Sequence, residues 1–187
     1  LYSIVDRIYI SNIPLTGETA LAGVGVCGPV VTMLGAFAFL VGVGVAPLMS
    51  INMGAGRPEE ARRILSNSFL VLCVCAVVLT AVVFPLQRPM LMFFGASEVT
   101  YPYAEEYFSI YLCGTVFNLL SLGMNQFIIS QGLAKKGMFS VVLGAALNIA
   151  LDPLFIFAFD MGVAGAAVAT VLSQLASCCL LYTSDAA

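Results

Sequence analysis

Long apolar runs separated by short polar breaks set the elements of this chain. A helix needs about 20 apolar residues to cross hydrocarbon, and the runs here are of that order, so each reads as a membrane-spanning helix. The breaks place six spans at approximately 1–12, 20–53, 64–84, 107–131, 137–159 and 163–181. Leu1 to Asn12 is only half a span, which predicts a truncated first helix. Pro14 to Ala20 is polar and turn-like, with Glu18 solvated. The run from Ala20 to Met53 contains Pro29 and Pro47 and reads as one long, bent span. Gly54 to Arg63 is the sharpest break, with Pro58 suited to the first turn of the next helix and Glu59 and Glu60 at the positive end of its dipole. Pro85 is expected to stop the third span, leaving Leu86 to Ala96 at the interface. Ser97 to Glu106 reads as a polar loop, Lys135 and Lys136 lie in a short basic turn, and Phe159 to Gly162 forms a tight turn. The abruptly polar residues 182–187 read as a non-native tail behind one transmembrane lobe, 1–181.

Composition narrows the class. Of 187 residues 61% are hydrophobic and 9% charged, with a mean hydropathy of +1.05. Soluble domains carry about 25% charged residues, so the fold class expected is an all-α, multi-pass membrane bundle. The lipid bilayer is its first partner. Cys27, Cys73, Cys75, Cys113, Cys178 and Cys179 all fall in apolar runs, and the chain has no His, so they read as small buried hydrophobes rather than metal ligands. Gly42 and Gly44 lack the strand and acidic follow-up of a nucleotide-binding loop and suit close helix packing. No nucleic-acid partner is expected.

Charge sets an orientation. Arg57, Arg62, Arg63, Lys135 and Lys136 fall in two loops on the same side, which the positive-inside rule makes cytoplasmic. Glu18, Glu98, Glu105, Glu106 and Asp160 fall opposite, and Arg88 alone among the basic loop residues runs against the pattern.

The chemistry concentrates in Asn148-Ile-Ala-Leu-Asp152-Pro153, inside the fifth span. An acid mid-span costs about 2.5 to 3.5 kcal/mol on insertion scales, which makes it a functional-site candidate. Asn148 lies one turn before Asp152 on the same face. Pro153 cannot donate to the Ile149 carbonyl, which leaves an acceptor free nearby. Asp6 on the first helix is the other interior acid. Together with Asn148 and Thr170, the two carboxylates could coordinate a sodium ion or could share a proton, and the sequence leaves both open. Tyr107, Tyr111, Gly114, Asn118, Ser121 and Asn125 recur at helical spacing as a polar stripe, expected to face a bundle interior or a cavity. Ala166, Thr170, Ser173, Gln174 and Ser177 line one side of the last span. For Thr170 and Ser173 the simpler expectation is a bond back to their own helix.

Ile4-Val-Asp-Arg-Ile-Tyr-Ile, Gly54-Ala-Gly-Arg-Pro-Glu-Glu-Ala, Pro102-Tyr-Ala, Asn148-Ile-Ala-Leu-Asp-Pro and Asp160-Met-Gly-Val-Ala-Gly-Ala-Ala occur in an order and at loop lengths that span nearly the whole chain. In these the chain resembles the amino-terminal half of a multidrug and toxic compound extrusion (MATE) transporter, of the DNA-damage-inducible protein F-like branch. The resemblance implies one six-helix lobe of a twelve-helix antiporter in a prokaryotic inner membrane, exporting drugs or organic cations in exchange for sodium or protons. It implies no cofactor and no enzymatic activity, and a carboxy-terminal lobe of the same chain as partner. By motif match Asp6, Asn148, Asp152 and Thr170, with the Ala166 carbonyl, fall on the family's cation site. Tyr107 and Asn125, with Asn118 of the same stripe, fall on the polar network of the cavity. Two other classes stand beside this one. A lipid-linked oligosaccharide flippase would want basic residues in mid-span, which the intact helices lack. An intramembrane aspartyl protease would also use two membrane acids, but not one followed by proline.

Overall fold

A computed structural model describes residues 2–14 and 16–186. The described residues form α1 (Tyr2–Ser11), α2 (Gly17–Gly54), α3 (Pro58–Phe93), α4 (Tyr101–Cys113), α5 (Thr115–Ser130), α6 (Ala134–Pro153) followed by a π-helical turn (Leu154–Ala158), and α7 (Gly162–Ala186). The α2 and α3 helices, α6 with its π turn, and the Gly162–Thr183 part of α7 are each long and apolar enough to cross a membrane, and α4 with α5 forms a fifth, bent span. With the ten-residue α1 these make the all-α six-helix lobe anticipated from the apolar runs.

Several boundaries differ from expectation: α6 begins at Ala134, so Lys135 and Lys136 lie in its first turn rather than in a loop, and three others have a local reason. Pro85 does not end α3, which carries Pro85 and Pro89 within it as far as Phe93. A proline removes one helical hydrogen bond, and burial of Leu91 in the core beyond it holds the remaining turns in place. Helix α4 begins at Tyr101, inside what reads as a polar loop. Ser97 and Thr100 cap one another there: the Ser97 N–H donates to Thr100 Oγ1 at 2.9 Å and the Thr100 N–H to Ser97 Oγ at 3.3 Å. Pro102 then occupies the first helical turn. Helix α2 likewise starts early, at Gly17, with Glu18 in its first turn where the dipole favours an acid. Helix α7 continues through the polar residues to Ala186; Ala187 lies outside the described residues, as do the side chains from Ser184 onward.

The fourth span is not one helix over 107–131. It bends by 58° between α4 and α5, at Gly114. A Cβ at that position would collide with the Val171 side chain of α7, so glycine lets α7 press into the break. The core divides at this level. One apolar cluster joins Ile10 of α1, Val24 and Leu34 of α2, Leu91 of α3, Phe108 of α4, Ile156 and Ala166. The other joins Ala38 and Met49 of α2, Leu72 of α3, Met124 and Phe127 of α5, and Leu181 of α7. Helices α1, α6 and α7 meet beside the first cluster, and the polar side chains converge there.

Candidate functional site

Asp6, Asn148 and Asp152 are wholly inaccessible and Thr170 nearly so. A buried polar group must find a partner or cost free energy, and these four find each other. The Asn148 Nδ2 lies 3.1 Å from Asp6 Oδ1, 3.0 Å from Asp152 Oδ1 and 3.3 Å from Thr170 Oγ1. The Thr170 hydroxyl donates to Asp6 Oδ2 at 2.8 Å, and the Tyr107 hydroxyl donates to the same oxygen at 2.7 Å. Helices α1, α4, α6 and α7 therefore meet on one carboxylate.

The arrangement carries two acids and no base. Both carboxylates touch one amide nitrogen, so they lie within about 6 Å of each other. At that separation and an effective dielectric near 20, like charges repel by roughly 3 kcal/mol. Arg7, next in sequence to Asp6, is turned toward α2, where its guanidinium lies 3.1 Å from the position a Cβ on Gly28 would take. Among the described residues no Lys or Arg forms an ion pair with either acid. Donors are short as well: an amide nitrogen has two hydrogens, and Asn148 Nδ2 has three oxygens in reach. Two buried oxygens, Asn148 Oδ1 and Asp152 Oδ2, have no hydrogen-bond partner. A cluster with more acceptors than donors and two acids without a base can accommodate a positive charge. The donor set is all oxygen, which suits a hard cation such as sodium, and a proton would relieve the same repulsion.

Pro153 has the expected consequence, and its π turn adds another. The π turn follows directly, with the Phe159 N–H donating to Leu154 O at 3.0 Å. The Ile149 carbonyl that Pro153 leaves unbonded receives the Tyr9 hydroxyl at 3.5 Å. Tyr9 stands three residues after Asp6 on α1, so that helix meets α6 at two neighbouring points. Only that i+3 spacing could have pointed to Tyr9 from the sequence.

The remaining candidates separate. Ala166 is buried one turn before Thr170 in the apolar cluster, and its carbonyl is the one group it could add. Asn118 is buried on α5 and lines a shallow hollow of about 440 Å³ with Tyr111 and Phe39. Asn125 ties α5 to α6, its Nδ2 donating to Gly137 O at 2.9 Å and lying 3.3 Å from Ser140 Oγ. The bend at Gly114 thus divides the expected stripe: Tyr107 reaches the acids, while Asn118 and Asn125 do not. Tyr111 stacks on Tyr107 with ring centroids 6.1 Å apart and receives Gln174 Nε2 at 3.5 Å. Ser173 bonds back to Ala169 O at 2.8 Å, as a helical serine ordinarily does; Thr170 does not, because Asp6 takes its hydroxyl. Of the six free cysteines only Cys27 is buried, and Cys113 and Cys179 are exposed on the bundle surface. The apolar runs that hold them cover lipid-facing positions as well as core. Among the described residues no group of His, Cys, Asp and Glu could form a larger metal cluster.

Comparison with known proteins agrees with this architecture. The family model described as MatE matches residues 1–154. The FAD transporter of Shewanella oneidensis is 28% identical over 178 residues, covering 93% of this chain and 39% of that protein. Multidrug export protein MepA of Staphylococcus aureus is 25% identical over 177 residues, covering 95% of this chain and 39% of its own length. A crystal structure of MATE in the bent conformation superposes with a TM-score of 0.91 at 30% identity, covering 97% of this chain and 40% of that one. The chain thus spans about two fifths of the length of these relatives.

Proposed function

The chain belongs to the MatE family, and from that premise we propose that it is one lobe of a cation-coupled exporter of drugs or organic cations. The second lobe completes the transporter, and the prokaryotic inner membrane is its setting. The observation that carries this reading is the buried pair Asp6 and Asp152, joined through Asn148 without a basic partner. Such a site holds a positive charge well when the helices are closed around it and releases it when they part. Asp6, Asn148, Asp152 and Thr170 supply the oxygens, with the Ala166 carbonyl as a further ligand. Tyr107 orients Asp6, and Asn118 belongs to the cavity wall, while Asn125 steadies α5 against α6. The coupling ion is sodium or a proton. Bringing α1 onto α6 and α7 is the step the ion controls, because three of the hydrogen bonds to Asp6 come from other helices.

Substrate class follows from relatives rather than from the acids. MepA is named for multidrug export and the Shewanella relative for FAD, so cargo chemistry varies among proteins alike in this lobe. None of the relatives named above is a lipid-linked oligosaccharide flippase or an intramembrane aspartyl protease. The test is efflux of a cationic dye by the full-length transporter in proteoliposomes, under a sodium gradient and separately under a pH gradient. Asp152→Asn should abolish efflux under whichever gradient drives the parent, with insertion unchanged. Undiminished efflux by this variant would remove the acid pair from the coupling.

A further inference from the structure

At the end of the bundle away from the Asp160 turn, α2, α3 and α5 leave a hollow of about 740 Å³. The ends of α2 and α5 are held together there by the Ser50 hydroxyl, which donates to Ser130 O at 2.9 Å. The hollow shares no residue with the acid cluster. Its volume is that of a small-molecule site, and its walls are of two kinds. Met49, Met53, Met124 and Phe69 form an apolar side. Thioethers are flexible and polarizable, so they follow the contour of an acyl chain better than branched side chains would. Arg62 stands on the other side.

Arg62 is the one charged side chain lining the hollow. Neighbouring Arg57 pairs with Glu60 at 3.8 Å, but Arg62 has no ion-pair or hydrogen-bond partner among the described residues. A guanidinium at the mouth of an apolar hollow matches a ligand with an anionic head and a long apolar tail, because its fork of donors fits phosphate oxygens. The charge pattern says where such a ligand comes from. Arg57, Arg62, Arg63, Lys135 and Lys136 gather at this end, which places it at the cytoplasmic leaflet, where anionic lipids attract basic helix ends.

We propose that this hollow is a binding site for one anionic phospholipid of the cytoplasmic leaflet, its phosphate on Arg62 and one acyl chain along Met49, Met53, Met124 and Phe69. A free organic phosphate shares the head chemistry but leaves the apolar wall unused.

The experiment measures lipid retained by the full-length transporter carrying this chain, by native mass spectrometry from nanodiscs of phosphatidylglycerol or of phosphatidylcholine with the same acyl chains. Wild type should retain phosphatidylglycerol over phosphatidylcholine. Arg62→Gln should lower phosphatidylglycerol retention about fivefold, the worth of one arginine at an anionic surface. Ser66→Trp, which fills the hollow from an exposed lining position, should lower it as well. Equal retention by wild type and Arg62→Gln overturns the site. So does an effect of Arg62→Gln with none from Ser66→Trp, which would place the attraction at the open surface. Displacement of the lipid by free glycerol phosphate at equal concentration would make it a simple anion site and also overturn the proposal. Because retention is read without transport, this outcome is independent of the efflux of Asp152→Asn.

Discussion

Asp6 Oδ2 accepts two hydroxyls, Thr170 at 2.8 Å and Tyr107 at 2.7 Å, and that sharing has a measurable signature. Removing either donor leaves the other in place, so the first loss is cushioned and the second is not. Tyr107→Phe and Thr170→Val should each cost about 1 kcal/mol of thermal stability in detergent, the order found for hydrogen bonds between membrane helices. The double variant should cost more than the sum by about 0.5 kcal/mol or more, as groups on one atom do. Strict additivity would mean that the two hydroxyls do not serve the same oxygen. Much of this site is legible in the sequence. A mid-span acid is conspicuous, Asn148 is one turn away, and only two interior acids exist to be paired. The direct bond of Tyr107 and the latch of Tyr9 are not legible without the resemblance or the structure. Both depend on the register of one helix against another, and no local pattern along a single helix encodes that register.

At the scale of the element, proline and glycine act through what surrounds them. Pro85 reads as a stop and is carried, with Pro89, inside α3, whereas Pro153 is followed by a π turn, and the difference lies in the neighbours. Gly165 of α7 explains the second case: a Cβ there would sit 2.7 Å from the Phe155 carbonyl carbon and 2.8 Å from its oxygen. Helix α7 thus rests against the backbone of the π turn, directly after the Asp152-Pro153 pair. Backbone cannot yield as a side chain can. Gly165→Ala should therefore destabilise by about 1–3 kcal/mol, as overpacking does, by pushing α7, with Thr170, off α6. Gly44→Ala, where a Cβ meets nothing within 4 Å, should be neutral or raise stability by up to about 1 kcal/mol through helix propensity. Melting temperatures of the two variants side by side decide the point, and equal melting would mean that the α7 contact is slack. Element type was readable throughout, because runs of apolar residues this long admit little but helix. Breaks within a run were not: the 58° bend at Gly114 depends on Val171 of another helix, and Gly114 alone looks like any other small residue in a stripe.

At the scale of the whole molecule, the bundle has two ends of different chemistry, and the proposals depend on which way they face. The acid cluster lies with the apolar core that includes Ile10, Leu91 and Phe108, and the hollow beside Arg62 adjoins the core that includes Met49 and Met124. Arg88, the exception to the charge pattern, is held locally: it lies 3.9 Å from Glu98 and stacks over the Tyr101 ring at 5.4 Å. Arg88 is nonetheless a single residue against the five at and just beyond the α2–α3 and α5–α6 turns, and by the positive-inside rule the larger group sets the expected topology. Ala55 sits in the first of those turns and Met161 in the turn before α7, both exposed. With the six native cysteines replaced, a membrane-impermeant thiol reagent added outside intact cells should label Met161→Cys and leave Ala55→Cys unmodified until the cells are opened. The reverse pattern would turn the bundle over. It would bring Arg62 to the outer leaflet, and with it the reason for expecting an anionic phospholipid in the hollow would be lost, while the paired acids, buried in either orientation, would keep the same surroundings.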